Sequence, residues 1–289
     1  MRPWSPALLL ALALGCTRSG AAQTVRGADT SAAAAATDTG RAARAPLVSR
    51  GQGELFAIAL GATAAIAALD RYVRSEVREL AVSRNRALDH VAVDLSFAGG
   101  PGPFLTGGAL FAAGYALRRE RTADLGVHLT EGVILAAALD GVVKGFAGRA
   151  LPRASGGDPD KFSFGRGFHE GNGPYVSFPS GHTAAAFAAA AVITGEAARW
   201  DSGGRRIVEP VAYGGATLVA LSRLYEDVHW ASDLPLGAAI GIWSGMTVVS
   251  RAHSRRRNRL RCWLLATTVI PSRNGGVVAW SWGGDAPGW

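Results

Sequence analysis

The chain has 289 residues and a formal charge of +8, with 48% apolar and 18% charged residues. Its only cysteines, Cys16 and Cys262, exclude a disulfide framework and a cysteine-based zinc cluster. A mean hydropathy of +0.15 lies between a soluble helical protein and a polytopic membrane protein, and decides for neither.

Residues 1–22 begin with Arg2, continue through an apolar run from Ala7 to Leu14 and end in the small residues Gly20, Ala21 and Ala22. This is the pattern of a secretory signal or a short N-terminal anchor, and the string ending in Cys16 offers lipidation as a second interpretation. Residues 23–53 are rich in Ala, Gly, Thr, Arg and Asp without a period, which predicts a disordered linker.

Residues 54–250 hold six Ala- and Leu-rich segments, near Leu55 to Leu69, Phe104 to Leu117, Gly126 to Ala147, Thr183 to Ala198, Val211 to Leu221 and Leu234 to Val249. They predict an all-α bundle of about six mostly membrane-embedded helices, because small residues such as Gly107, Gly114, Gly237 and Gly241 suit close helix contact in a bilayer. Several segments are shorter than the roughly 20 residues of a straight span. Arginines at 118–121, at 199, 205 and 206, and after Val249 would fall on one side, which the positive-inside tendency makes cytoplasmic. The turns carrying 144–182 and 223–233 would then share the external face. A cleaved signal puts the mature N-terminus outside, whereas six spans with a cytoplasmic C-terminus need it inside. Either the signal stays as an anchor or one segment does not cross.

Residues 251–289 comprise a basic segment and a tail. The arginines at 251, 255, 256, 257, 259 and 261 directly follow an apolar segment, so a membrane flank is favoured over nucleic acid as their partner. Two β-prone runs, Trp263 to Ile270 and Gly276 to Trp282, flank a Pro-Ser-Arg-Asn-Gly turn and predict a C-terminal β-hairpin.

Three stretches carry chemistry. In Ser222-Arg223 through His229 to Asp233, the His and Asp are four residues apart, so on a helix they share a face and the carboxylate can hold the imidazole in one tautomer. A histidine held that way can serve as a nucleophile, with Arg223 as a planar fork for an anion. In Phe178-Pro179-Ser180-Gly181-His182-Thr183, Ser180 is a natural N-cap and the following amides point outward at the positive helix end, a phosphate cradle. His182 stands at its rim, where it can protonate a leaving oxygen. The third stretch runs from Lys144 to Arg153. Lys144 can hold phosphate as a point charge, or be neutralised by Asp140 four residues earlier.

Taken in chain order, from Lys144 through Ser180 to Asp233, the three stretches resemble the type 2 phosphatidic acid phosphatase family, whose pattern is Lys, six residues, Arg-Pro; then Pro-Ser-Gly-His; then Ser-Arg, five residues, His, three residues, Asp. The last two match in full, and Pro152 is in register with Lys144, but Leu151 stands where the family has arginine. The resemblance implies His229 as nucleophile through a phosphohistidine, Asp233 orienting it, and His182 as general acid. Lys144, Ser180, Gly181 and Arg223 would bind the phosphoryl oxygens. Arg149, one turn beyond Lys144, is expected to replace the missing guanidinium, with Arg153 as the alternative. The implied scheme needs no cofactor and no metal, and the sequence offers no clustered metal ligands. His90, His128, His169 and His253 lack motif context and read as structural or solvent-facing. The loop from Asp158 to Arg166 is expected to cover the pocket.

The implied partners are a lipid phosphate or polyprenyl diphosphate substrate and membrane lipids, with no nucleic acid. The implied location is a bacterial-type inner membrane with the site on the periplasmic face. Three alternatives stay open: a soluble exported acid phosphatase, periplasmic or secreted; a vanadate-dependent haloperoxidase; and a catalytically decayed lipid-binding homologue.

Overall fold

A computed structural model describes residues 50–82, 86–169, 171, 173–200, 203–253, 267–272 and 275–280. The expected signal and nearly all of the expected linker lie outside these residues; the last of that linker, from Arg50, is already helical.

Eight helices occur among the described residues: α1 (Arg50–Ala67), α2 (Asp70–Val82), α3 (Arg86–Gly99), α4 (Gly102–Ala116), α5 (Glu120–Ala147), α6 (Gly181–Trp200), α7 (Arg205–Tyr225) and α8 (Asp233–Ala252). Six correspond to the expected segments. The additional two, α2 and α3, fill the interval between the first and second. α2 is charge-rich, with Arg71, Arg74, Glu76, Arg78 and Glu79, so an apolar-run criterion passes over it although its apolar residues form one face.

The core is the α5, α6 and α8 layer, where Leu129, Val133, Ala136, Ala184, Ala188, Val192, Leu236 and Ile240 are buried together. Its side chains are small because the helices nearly touch. A methyl group added at Gly245 would come within 2.6 Å of the Ala188 carbonyl oxygen, and one at Gly237 within 2.6 Å of the Ser180 carbonyl oxygen. This approach locks the first turn of α8 to the first turn of α6, the two places where the complete motifs lie. α7 closes a second cluster of Ala186, Ala190, Ala216 and Val219 on the other side of α6.

Large apolar side chains cover the outer faces, among them Ile58, Phe97, Leu105, Tyr115, Ile134, Phe146, Val211 and Leu218. Of the described helices, Glu120–Ala147 is long and apolar enough to cross a membrane, and Gly51–Ala67 with Asp70–Glu79, bent by 69°, passes the same test as a pair. The described residues from Arg50 to His253 form one compact unit. In the other unit, Thr267–Ser272 (β1) and Gly275–Trp280 (β2) pair antiparallel, with Val269 opposite Val278.

Candidate active site

α5 delivers Asp140 and Lys144 to one end of the bundle, one turn apart. The helix stops at Gly148, whose left-handed backbone (φ 55°, ψ 44°) a residue with a Cβ adopts only at a cost, and whose amide donates to the Lys144 carbonyl. A side chain there would also collide with the Ser163 carbonyl oxygen. The reversal lets Lys144 Nζ donate to the Pro179 carbonyl oxygen at 2.8 Å, with Asp140 Oδ2 at 3.4 Å. Lys144 therefore bears on both expected partners, the second motif and Asp140.

The second motif enters through a cis Phe178–Pro179 bond. Ser180 caps α6: its Oγ accepts from Thr183 Oγ1 at 2.8 Å and, more weakly, from the Thr183 amide at 3.4 Å. Its side chain is fully buried in that role. The Gly181 and His182 amides, in the first turn, have no carbonyl one turn earlier to bond. Any side chain at position 181 would come within 2.9 Å of Asp140 Oδ2, so glycine keeps this corner open. His182 packs against Gly99 and Gly100 at the end of α3. Burial, then the charges of Arg223, His229 and Lys144, lower its pKa from 6.5 to about 4. The Arg223 and Lys144 charges that disfavour a proton on His182 would attract an anion.

Arg223 ends α7 and is 2% exposed. Its Nη1 donates to Ser96 Oγ on α3 at 2.9 Å and its Nη2 to Glu226 Oε1 at 2.9 Å. α3 thus steadies both Arg223 and His182. The chain then turns at Asp227, in the left-handed region at φ 56°, where Arg74 of α2 grips the carboxylate with two bonds of 2.7 and 2.8 Å. That fork sets the course of the loop bearing His229.

His229 is 9% exposed, with Nδ1 3.4 Å from Asp233 Oδ2. The separation is within ion-pair range, but Nδ1 makes no hydrogen bond at this angle. Oδ2 is occupied by Ser177 Oγ at 2.5 Å and the Trp230 amide at 2.8 Å. Burial by itself would raise the Asp233 pKa; contact with His229, then Arg149, with the Ser177 bond besides, brings it below the ordinary carboxylate value.

The structure corrects the expectation for Arg149. Its guanidinium does not face the phosphate corner: Nη1 donates to Asp233 Oδ1 at 2.6 Å and Ser232 Oγ at 2.7 Å, Nη2 to Asp70 Oδ2 at 2.7 Å, and Nε to the Pro159 carbonyl at 2.9 Å. Asp70 also accepts from the Ser232 amide and hydroxyl at 2.9 and 2.6 Å. Asp70, Arg149 and Asp233 are each no more than 3% exposed and form a layer behind His229. Spacing predicted that Arg149 lies near Lys144; the turn at Gly148 sends its side chain to the carboxylates instead. Leu151 is buried, its amide bonded to the Pro174 carbonyl, while Arg153 is exposed and lines a groove with Asp89, Tyr225, Glu226 and Val228. The 158–166 loop folds back on the end of α5, where Ser163 and Gly165 donate to the Gly148 and Phe146 carbonyls and Phe162 lies under the Arg149 guanidinium.

Lys144, Gly181, His182, Arg223, His229 and Asp233 gather at one end of the core. Sequence reading missed Asp70, Ser96 and Ser177, which lie outside every motif and are joined to it only by folding. Ser232 lay within the third motif but its spacing gave it no role. His128, Glu196 and His253, far apart in sequence, meet at the other end of the bundle.

Residues 125–258 match the family model described as PAP2 superfamily. Over 86 residues the chain is 42% identical to the lipid A 1-phosphatase of Porphyromonas gingivalis, a match covering 29% of this chain and 18% of that protein. The matched segment is thus under a fifth of the curated relative's length. The crystal structure of a transmembrane PAP2-type phosphatidylglycerolphosphate phosphatase from Bacillus subtilis superposes with a TM-score of 0.55 at 22% identity, covering 71% of this chain and 98% of that one, a likeness of fold. With its three motifs in order within the matched segment, the chain carries, over residues 125–258, a domain of the PAP2 superfamily.

Proposed function

We propose that the protein is a phosphatase that hydrolyses lipid phosphates or lipid diphosphates through a phosphohistidine on His229. The observation that carries this reading is the meeting of Lys144, the first amides of α6 and Arg223 beside a histidine backed by a buried carboxylate.

The cations and amides hold the non-bridging phosphoryl oxygens and stabilise charge as the phosphoryl group transfers. His229 Nε2 forms a bond to phosphorus while the bond from phosphorus to the leaving oxygen breaks. The leaving oxygen takes a proton from His182. Positive charge then grows on the His229 ring, and Asp233 stabilises it through Nδ1–H, whose contact tightens from 3.4 Å. Water next attacks phosphorus, gives its proton to His182, and releases phosphate with His229 restored. His182 has a pKa near 4 before substrate arrives, so its acid form depends on the substrate's negative charge offsetting Lys144 and Arg223. No step calls for a metal at the phosphate.

The exposed apolar outer faces support a location in a membrane, with the substrate's chains among them and its phosphate at the site. The external face of a bacterial-type inner membrane is the orientation that the arginine distribution supports. The secretory-type pattern of residues 1–22 and the mean hydropathy of +0.15 favour, as a second reading, an exported soluble phosphatase of the same mechanism.

The deciding assay follows phosphate release by detergent-purified protein, in EDTA, from short-chain phosphatidic acid, a polyprenyl diphosphate and a water-soluble phosphate ester. Turnover of a lipid that disappears in His229→Ala supports the first reading. Turnover of the soluble ester alone supports the second, and bromide oxidation on adding vanadate would replace both with a haloperoxidase. No turnover of any substrate would leave a decayed binding protein.

A further inference from the structure

The end of the bundle remote from the phosphate corner holds a second convergence of polar groups. His128 stands near the start of α5, Glu196 near the end of α6, and His253 directly after α8. His128 is sixteen residues before Lys144 on the same helix, about 24 Å at 1.5 Å per residue, so the cluster is separate from the active site. His128 Nδ1 and His253 Nε2 both lie 2.8 Å from the same oxygen, Glu196 Oε1. The two rings meet edge to face with centroids 5.5 Å apart.

We infer that His128, Glu196 and His253 form a binding site for a divalent first-row transition metal, Zn2+ foremost, that ties α5, α6 and the end of α8 together. The donor atoms all lie within 4.8 Å of one another. Ligands at about 2.0–2.1 Å around a tetrahedral ion stand roughly 3.3 Å apart, so small side-chain shifts admit one. Two imidazoles and one carboxylate are the donors that zinc and its neighbours take, whereas Mg2+ and Ca2+ prefer oxygen alone. Glu196 is 1% and His128 4% exposed, so the carboxylate is buried where a charge is costly without a counter-charge. His253 is about one-third exposed, which gives the ion an entry from solvent and leaves a fourth position for water. The ion would replace the protons that otherwise join the rings to Oε1. It would also fix the point at which the chain leaves α8 for its arginine-rich segment.

The test uses the full chain in detergent, stripped of metal and titrated with Co2+ as a spectroscopic probe, with bound Zn2+ counted by elemental analysis. The expected result is one ion per chain with the visible absorption of nitrogen- and oxygen-bound tetrahedral Co2+. His253→Gln and Glu196→Gln should each weaken binding by about 100-fold or more, while His229→Gln, in the active site, retains it. His253 follows the helix and is partly exposed, so its variant keeps the fold even if the Glu196 variant does not. Absence of a stoichiometric ion in the wild type, or unchanged binding in His253→Gln, would overturn the assignment and leave a proton-linked His-Glu-His cluster.

Discussion

Two layers meet at His229, and each contains one buried arginine. In front, burial together with the nearby charges of Arg223 and Lys144 holds the His182 ring neutral, and in the proposed mechanism the two cations receive the phosphoryl oxygens. Behind, Arg149 lies between Asp70 and Asp233. Both arginines are buried and both donate to groups within the protein, but Arg149 is paired with two fully buried carboxylates, whereas Arg223 is paired with one, the part-exposed Glu226. The charge left on a guanidinium follows from the number and burial of the carboxylates paired with it, which sequence spacing does not report.

The sharpest way to break the comparison is to remove what the two layers share. His229→Ala should lower phosphate release by about 10⁴-fold or more, as loss of a nucleophile does, without lowering the melting temperature. Asp233→Asn should keep a side chain in place but lose the charge behind the ring, lowering kcat by roughly 10²–10⁴-fold. The arginines should then separate by type of defect. Arg149→Ala leaves two buried carboxylates without a counter-charge and should destabilise the fold by about 3–5 kcal/mol in denaturant unfolding. Arg223→Ala should cost about 10²–10³-fold in kcat/KM with a smaller loss of stability. Equal stability losses in both variants would erase the distinction. Ser177→Ala removes one bond to Asp233 and should have the smallest effect, about 1–3 kcal/mol of stability.

The front layer also predicts a proton linkage. With its pKa lowered from 6.5 to about 4, folded His182 binds fewer protons than the unfolded chain between those values. Its contribution to stability is therefore full above pH 6.5 and is lost as pH falls through 4. Binding of an oxyanion such as vanadate near pH 6 should draw a proton onto His182, measurable as a buffer-dependent heat that His182→Gln abolishes. Binding with no proton uptake would remove His182 as the general acid.

Much of this site is legible in the sequence because each complete motif is local. Pro179 to His182 forms one helix start, and Ser222 to Asp233 joins one helix end to the next helix start, so spacing translates directly into position. The missing arginine at Leu151 is legible as well, but not its consequence, since that depends on the left-handed turn at Gly148. Asp70 is hidden for another reason: it opens a charge-rich helix, 79 residues from Arg149, with nothing in its neighbourhood to mark it. His128, Glu196 and His253 are likewise joined only when α5, α6 and the end of α8 pack together.

The central claim is that His229 attacks phosphorus with Asp233 behind it. It is tested most directly by mixing the protein with lipid phosphate radiolabelled at phosphorus, quenching within milliseconds, and mapping the label. The account predicts an acid-labile, alkali-stable phosphoryl group on the peptide containing His229, absent in His229→Ala. Label on another residue, or turnover that persists in His229→Ala, would contradict it.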